Sequence, residues 1–165
     1  MGYQSVNEIE NFSFEDCEIR KFEVNDTQIS FELEALIVKP NNSQNSNYTE
    51  SYVSTTELRL TNARIISAIK DGYRYYDAND VLVSEVADVI LSDEQIKVLP
   101  SSCKGAYLFE LTRQKEENGS FYYTLGIEFP GEDEYDNTNP ESYTLEICFE
   151  KSIFSWEHYL NKVQR

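Results

Sequence analysis

Carboxylates are the commonest groups in this chain that could do chemistry. There are thirty Asp and Glu against fourteen Lys and Arg and one histidine, in 165 residues. Two carboxylates facing each other across a cleft can hydrolyse a glycosidic bond, one as acid and one as base or nucleophile. In so acidic a chain, acids that are neighbours in sequence say nothing about such a pair. His158 is the only imidazole, and acid–base work near neutral pH is usually given to histidine. Its position beside Tyr159, in a segment with helical apolar spacing, reads first as a surface or satisfied helix residue. Cys17, Cys103 and Cys148 are odd in number and far apart, which fits reduced thiols and supplies no zinc spacing. Cys103 has Lys104 beside it and small residues around it, so it is the best placed of the three to be reactive. No nucleophile elbow, phosphate loop or dinucleotide fingerprint occurs. The expectation is a protein that is not an enzyme and holds no cofactor and no metal.

Two acidic segments could still take a cation. Asp77-Ala78-Asn79-Asp80 begins like a calcium loop, but Val81 fails the third ligand position and no glycine follows. Glu132 to Asn139 could wrap calcium irregularly, and a solvated acidic loop is the simpler reading. A carbohydrate- or calcium-binding module, or a carboxylate-dependent hydrolase, is therefore kept as an alternative to plain binding. A general acidic adaptor is another.

The net charge of −16 repels nucleic-acid phosphates and works against compaction. It arrives in blocks. Seven acids stand against two bases from Glu15 to Glu34, seven against two from Asp71 to Lys97, and eight against two from Glu110 to Asp136. Between Val38 and Lys70 the sign reverses. A sided field of this kind orients an encounter with a basic partner. The expected contact surface is the acidic loop Glu132, Asp133, Glu134, Tyr135 and Asp136. After it come the strand face at Glu32 and Glu34, and then the turn at Asp77 and Asp80.

Strand patterns must position these residues. Ile29, Phe31, Leu33, Ala35 and Ile37 alternate with polar residues, as do Phe121 to Phe129 and Tyr143 to Phe149. Asn118-Gly119 between two alternating runs predicts a hairpin, because both turn residues must accept positive φ. Cys17 and Ile19 fall on one parity and Phe22 and Val24 on the other, which predicts a bulge near Arg20-Lys21. Asn25-Asp26 turns the chain into the Ile29 strand. Leu58 to Ile66 reads as one strand with a phase change, closed by Lys70-Asp71-Gly72 and followed by a return at Tyr73–Tyr76. The Asn/Ser-rich stretch 40–48 reads as a mobile loop. Ser92-Asp93-Glu94-Gln95 has the capping-box form of a short helix that stops before Pro100. Trp156, Tyr159, Leu160 and Val163, at i, i+3, i+4 and i+7, predict a C-terminal helix capped by Ser152 or Ser155.

The opening Phe14-Glu15-Asp16-Cys17-Glu18-Ile19, followed by an alternating strand, resembles that of small bacterial immunity-type proteins of polymorphic toxin and contact-dependent inhibition systems. The stretch Asp71 to Leu82 and the ending Glu150 to Trp156 are similar to acidic proteins of the same length from gut Firmicutes. The resemblance implies a cytoplasmic inhibitor that protects its producer by occluding the active surface of a cognate basic toxin. It implies no catalytic residues.

The polar, acidic first ten residues also point to the cytoplasm, and no apolar run is long enough to span a bilayer. The expected architecture is one α+β, β-rich domain over residues 1–165. A twisted antiparallel sheet, folded into a sandwich or half-barrel, carries the short middle helix and the C-terminal helix packed on it. The expected state is a monomer or weak dimer, with no nucleic-acid and no membrane partner.

Overall fold

A computed structural model describes residues 2–130 and 141–164. In chain order the strands are β1 (Tyr3–Val6), β2 (Phe12–Ser13), β3 (Glu18–Val24), β4 (Gln28–Glu34), β5 (Ile37–Val38), β6 (Ser51–Val53), β7 (Thr56–Thr61) and β8 (Arg64–Lys70). They continue as β9 (Tyr73–Tyr76), β10 (Leu82–Val86), β11 (Val89–Ile90), β12 (Tyr107–Glu117), β13 (Ser120–Glu128), β14 (Ser142–Phe149), β15 (Lys151–Trp156) and β16 (Tyr159–Lys162). Helix α1 (Asp93–Val98) sits between β11 and β12.

Ten strands form an antiparallel ladder in the order β1-β15-β7-β4-β3-β12-β13-β14-β8-β11. Its ends, β1 and β11, do not pair with each other, so the sheet is open and not a closed barrel. A second sheet has the order β16-β6-β5-β2, and β9 and β10 pair only with each other. No described helix is long and apolar enough to cross a membrane.

Local sequence accounts for most of the turns. Asn118 (φ 53°) and Gly119 (φ 80°) join β12 to β13 with Glu117 opposite Ser120, the geometry a two-residue hairpin requires. The register of β3 against β4 slips between Ile19 and Lys21, where the change of parity predicted a bulge. Asn25 Oδ1 accepts the N–H groups of Thr27 (3.1 Å) and Gln28 (2.9 Å) and builds the next turn. Ser92 caps α1 reciprocally with Gln95, as the capping-box pattern predicts.

Other expectations are corrected. The alternation from Ile29 does not run on to Ile37: Ala35 adopts φ 59°, and the chain leaves the large sheet. Leu36, Ile37 and Val38 are then buried in succession, with β5 in the small sheet. Leu58 to Ile66 is two strands. Asn62 (φ 47°) separates them; β7 pairs with β4 and β15, whereas β8 pairs with β14 and β11. The return at Tyr73–Tyr76 does not lie on β8 but pairs with β10. The 40–48 stretch is tied down. Asn45 Nδ2 donates to the carbonyls of Val38, Lys39 and Thr49, and Asn42 Nδ2 to Ser5 Oγ. Glu8 accepts from the Ser43 amide and hydroxyl. Burial alone would raise the Glu8 pKa, but hydrogen bonds from Ser43, Asn11 and Ser5 outweigh it and hold the carboxyl below its ordinary value.

The predicted C-terminal helix is also absent. Ser152, Phe154 and Trp156 alternate inward along β15, a period-two pattern that the small Ser152 disguises. The chain then bends where Ser54 Oγ accepts the N–H groups of Glu157 (3.2 Å) and His158 (3.0 Å). It continues as β16 against β6. Leu160, placed on the apolar stripe by helical spacing, is exposed. Strand pairing, of β15 with β1 and β7 and of β16 with β6, takes up the backbone here, and it overrides an apolar spacing that fits a helix equally well.

Both sheets share one core. Phe12 of β2 stacks on Phe154 of β15 (ring centroids 4.0 Å) and meets Trp156 edge-on at 5.8 Å. Ile19, Phe31, Leu33, Leu58, Leu125 and Leu145 extend that core along the large sheet.

Candidate functional site

The expected site residues fall in three places. Glu132, Asp133, Glu134, Tyr135 and Asp136 lie outside the described residues, as does the calcium reading of 132–139. The residues flanking that segment are described, and they converge on the end of β8. Phe129 donates its N–H to the Glu141 carbonyl (2.7 Å), Glu141 pairs with Lys70 (2.7 Å), and Asp71 donates its N–H to the Ser142 carbonyl (2.9 Å). The Asp71 carboxylate accepts from the hydroxyls of Ser142 and Thr144.

Glu32 and Glu34 lie on the outward face of β4. Across the ladder Glu34 faces Glu18, and Glu32 faces Lys21 on one side and Glu57 on the other. Directly opposed carboxylates repel, and cations lace the face together. Arg20 reaches Glu34 (2.6 Å) and Glu18 (3.9 Å), Arg59 pairs with Glu57 (3.1 Å) and Lys21 with Glu23 (3.1 Å). Each such exposed pair adds little to stability, because solvent screens it. Their larger effect is to make this face a mosaic of both signs instead of a single acidic field.

Asp77 and Asp80 stand elsewhere, at the tip of the hairpin formed by β9 and β10. Asp77 Oδ1 accepts the N–H groups of Asn79 (2.8 Å) and Val81 (3.0 Å), and Asp80 sits at φ 60°. Asp77 therefore builds the turn, while Asp80 is exposed on it. No hydrogen bond or ion pair among the described residues joins these two aspartates to Glu32 or Glu34.

The turn from Asp77 to Asp80, between Tyr73–Tyr76 and the run Val81 to Val83, is as sequence reasoning expects; what it missed is how exposed the hairpin stands. It rises from the end of β8, and both of its faces carry apolar groups. Register places Tyr73 opposite Val86 on one face, with Tyr75 beside Tyr73 (rings 5.0 Å apart). Tyr76 faces Leu82 on the other, next to the Arg74–Glu85 pair (3.0 Å). Every residue of β10 is exposed, and so are all of β9 except Tyr75. Val83 is 61% exposed, and Ile90, in the adjoining edge strand, is 79% exposed. In the sequence Val81 to Val83 looks like any buried strand, because an apolar run does not reveal whether anything covers it.

A groove of about 730 Å³ lies between β3, the start of β8 and the segment from α1 to Lys104. Cations line it more than carboxylates do: Arg20, Lys21, Arg64, Lys97 and Lys104 against Glu23 and Asp26. A carboxylate-dependent hydrolase would require the reverse. Among the described residues, no group of three or more His, Cys, Asp and Glu is placed to hold a metal ion. His158 is exposed on the bend between β15 and β16.

Cys103, on sequence the best placed of the three thiols to be reactive, follows the plainer reading of an incidental thiol. It is fully buried and its Sγ lies 3.2 Å from the Leu99 carbonyl. Burial raises its pKa to about 11, against a small lowering from Ser102. Lys104 points to solvent and does not activate it. Cys17 and Cys148 are buried as well, and burial raises the Cys17 pKa further still. A thiol reagent such as a dithiobisnitrobenzoate should therefore titrate none of the three in the native protein within minutes, and all three after denaturation. Rapid native labelling at Cys103 would show an accessible thiol.

No protein-family model matches this chain, and no curated protein or solved structure matches it either.

Proposed function

We propose that this protein acts by binding another protein through the β9–β10 arm, without chemistry of its own. The partner is a basic protein, and the immunity-type resemblance makes it a toxin whose active surface the arm occludes. One observation carries the reading: the arm is a two-stranded hairpin in which, among the described residues, every strand residue but Tyr75 is exposed. Such a hairpin is marginal in water unless something packs on it, and exposed tyrosines and aliphatics on a rigid β-ribbon are good anchors for a partner. The arm's open strand edges offer main-chain pairing in addition. Its charge suits a basic surface, with Asp77, Asp80, Glu85 and Asp88 against Arg74.

The test is binding to the product of the reading frame adjacent to this gene, with both proteins purified and titrated at low and high salt. A tight complex is expected whose association slows as salt screens the acids. Tyr76→Ser, Leu82→Ser and Val83→Ser combined should weaken it about a hundredfold. These side chains are exposed, so the fold should persist. Unchanged affinity in this variant would remove the arm from the interface, and indifference of the on-rate to salt would remove the steering.

A further inference from the structure

The cation-lined groove shares no residue with the arm. It exists because the large sheet comes apart locally. Strand β3 meets β12 at a single register pair, Tyr107 opposite Glu18. After its bulge at Arg20, β3 diverges and pairs only with β4. The curl of the ladder brings the end of β3 round to the start of β8, where Ala63 donates its N–H to the Thr27 carbonyl (3.0 Å). Helix α1 and the following turn at Pro100–Ser102 form the remaining wall. Phe22, Val24, Ile65, Ile96 and Pro100 supply apolar lining.

The cations are not all satisfied. Arg20 and Lys21 have carboxylate partners. The side chains of Arg64, Lys97 and Lys104 make no ion pair or hydrogen bond among the described residues, though the chain as a whole carries sixteen more negative than positive charges. Five of its fourteen Lys and Arg residues converge on this one groove. In a protein this acidic, three cations left unpaired over an apolar floor form a site for a counter-charge.

We propose that the groove binds an amphipathic organic anion, with its apolar body against Phe22, Ile65 and Ile96 and its single anionic head among Arg64, Lys97 and Lys104. The volume lies within the range of small-molecule sites, roughly 300–1,000 Å³. A polyanion such as nucleic acid would meet the net field of the rest of the surface. A small inorganic anion would leave the apolar floor uncovered.

Decanoate is the probe, titrated into the ¹⁵N-labelled full chain and followed by amide chemical shifts. Saturable shifts are expected in 20–26, 63–65 and 96–104. Decanol, lacking the charge, and inorganic phosphate, lacking the body, should each bind at least about tenfold more weakly. Arg64→Glu, Lys97→Glu and Lys104→Glu combined should weaken decanoate by at least about tenfold. All three side chains are exposed, and an unchanged unfolding midpoint by Trp156 fluorescence would verify the fold. Shifts confined to the arm at 73–90, no shifts at all, or undiminished binding by the variant would each overturn the proposal. Tighter binding of a hexaglutamate peptide than of decanoate would also overturn it, making the groove an acidic-peptide site. None of these outcomes depends on whether the arm binds a toxin.

Discussion

Replacing Phe154 by Ala is expected to destabilise the protein by about 3–5 kcal/mol, the usual cost of emptying a phenylalanine-sized hole in a core. Phe154 is fully buried. Its ring stacks on Phe12 at 4.0 Å and meets Phe14 at 6.4 Å, and its backbone pairs with Leu58 on one side and Ser5 on the other. It therefore does two jobs. It fills the core of the ten-stranded ladder, and it is the ring on which the small sheet is seated. Phe12 belongs to β2, the end strand of that small sheet, and Phe12 also meets Trp156. A cavity at Phe154 loosens both layers together, which places the cost toward the upper part of the range. For a chain of this length that corresponds to a midpoint lowered by roughly 6–20 °C. Thermal unfolding followed by the fluorescence of Trp156 reads it directly, because that indole packs in the same cluster. Phe154→Leu should recover part of the loss. A variant whose midpoint falls by no more than a surface substitution would show that the two sheets are held together elsewhere.

The second large effect is local. Gly72 joins β8 to the arm, and a Cβ built there would stand 2.0 Å from the Val86 carbonyl oxygen and 2.6 Å from the Ala87 carbonyl carbon. Both are backbone atoms that cannot swing aside. The Gly72 N–H also donates to Asp88 Oδ1 at 2.6 Å. Gly72→Ala must therefore push the base of the arm away from the strand that feeds it. The expected cost is about 1–3 kcal/mol, as for other overpacked sites, spent almost wholly at the arm and at the β8–β11 pairing below it. Hydrogen exchange should speed up in 69–91 and stay slow in 121–128, the middle of the ladder. Partner binding through the arm should fall with it. If exchange rises evenly over the whole chain, the arm is part of the global cooperative unit and not a separately poised element.

Much of the fold was legible in residue order, because its signals are local. Asn118-Gly119 makes a hairpin wherever it falls between two alternating strands. Asn25 closes its turn with its own side chain, and Ser92 with Gln95 caps a helix through bonds that span three residues. The change of parity around Arg20 can be accommodated in a strand only by a bulge. The capped helix is among the shortest predicted elements, yet it forms as expected, since everything that starts it lies within its own first turn.

What failed was non-local. Trp156, Tyr159, Leu160 and Val163 have helical spacing, but Tyr3 and Val53 arrive as strand neighbours from far away in sequence and claim the same backbone. Asn45 looks like loop filler until three carbonyls gather around its amide. Cys103 looks the best placed of the thiols beside Lys104 until the fold buries the sulfur and turns the lysine outward.

The charge shows the same division. Composition alone establishes how acidic the protein is, since that is a sum over residues. It also sets the repulsion of nucleic-acid phosphates, which depends mainly on that sum. Where the charge acts is a matter of distance, and distance is set by strand pairing. Pairing threads Arg20, Lys21 and Arg59 through the glutamates of β3, β4 and β7, and leaves Asp80 at the tip of an exposed arm. It also gathers Arg64, Lys97 and Lys104 from separate parts of the chain onto one groove. Coulomb energy falls with separation in space and ignores separation in sequence, so only the tertiary structure could turn blocks of charge along the sequence into an acidic arm, a sheet face of mixed sign and a cationic groove.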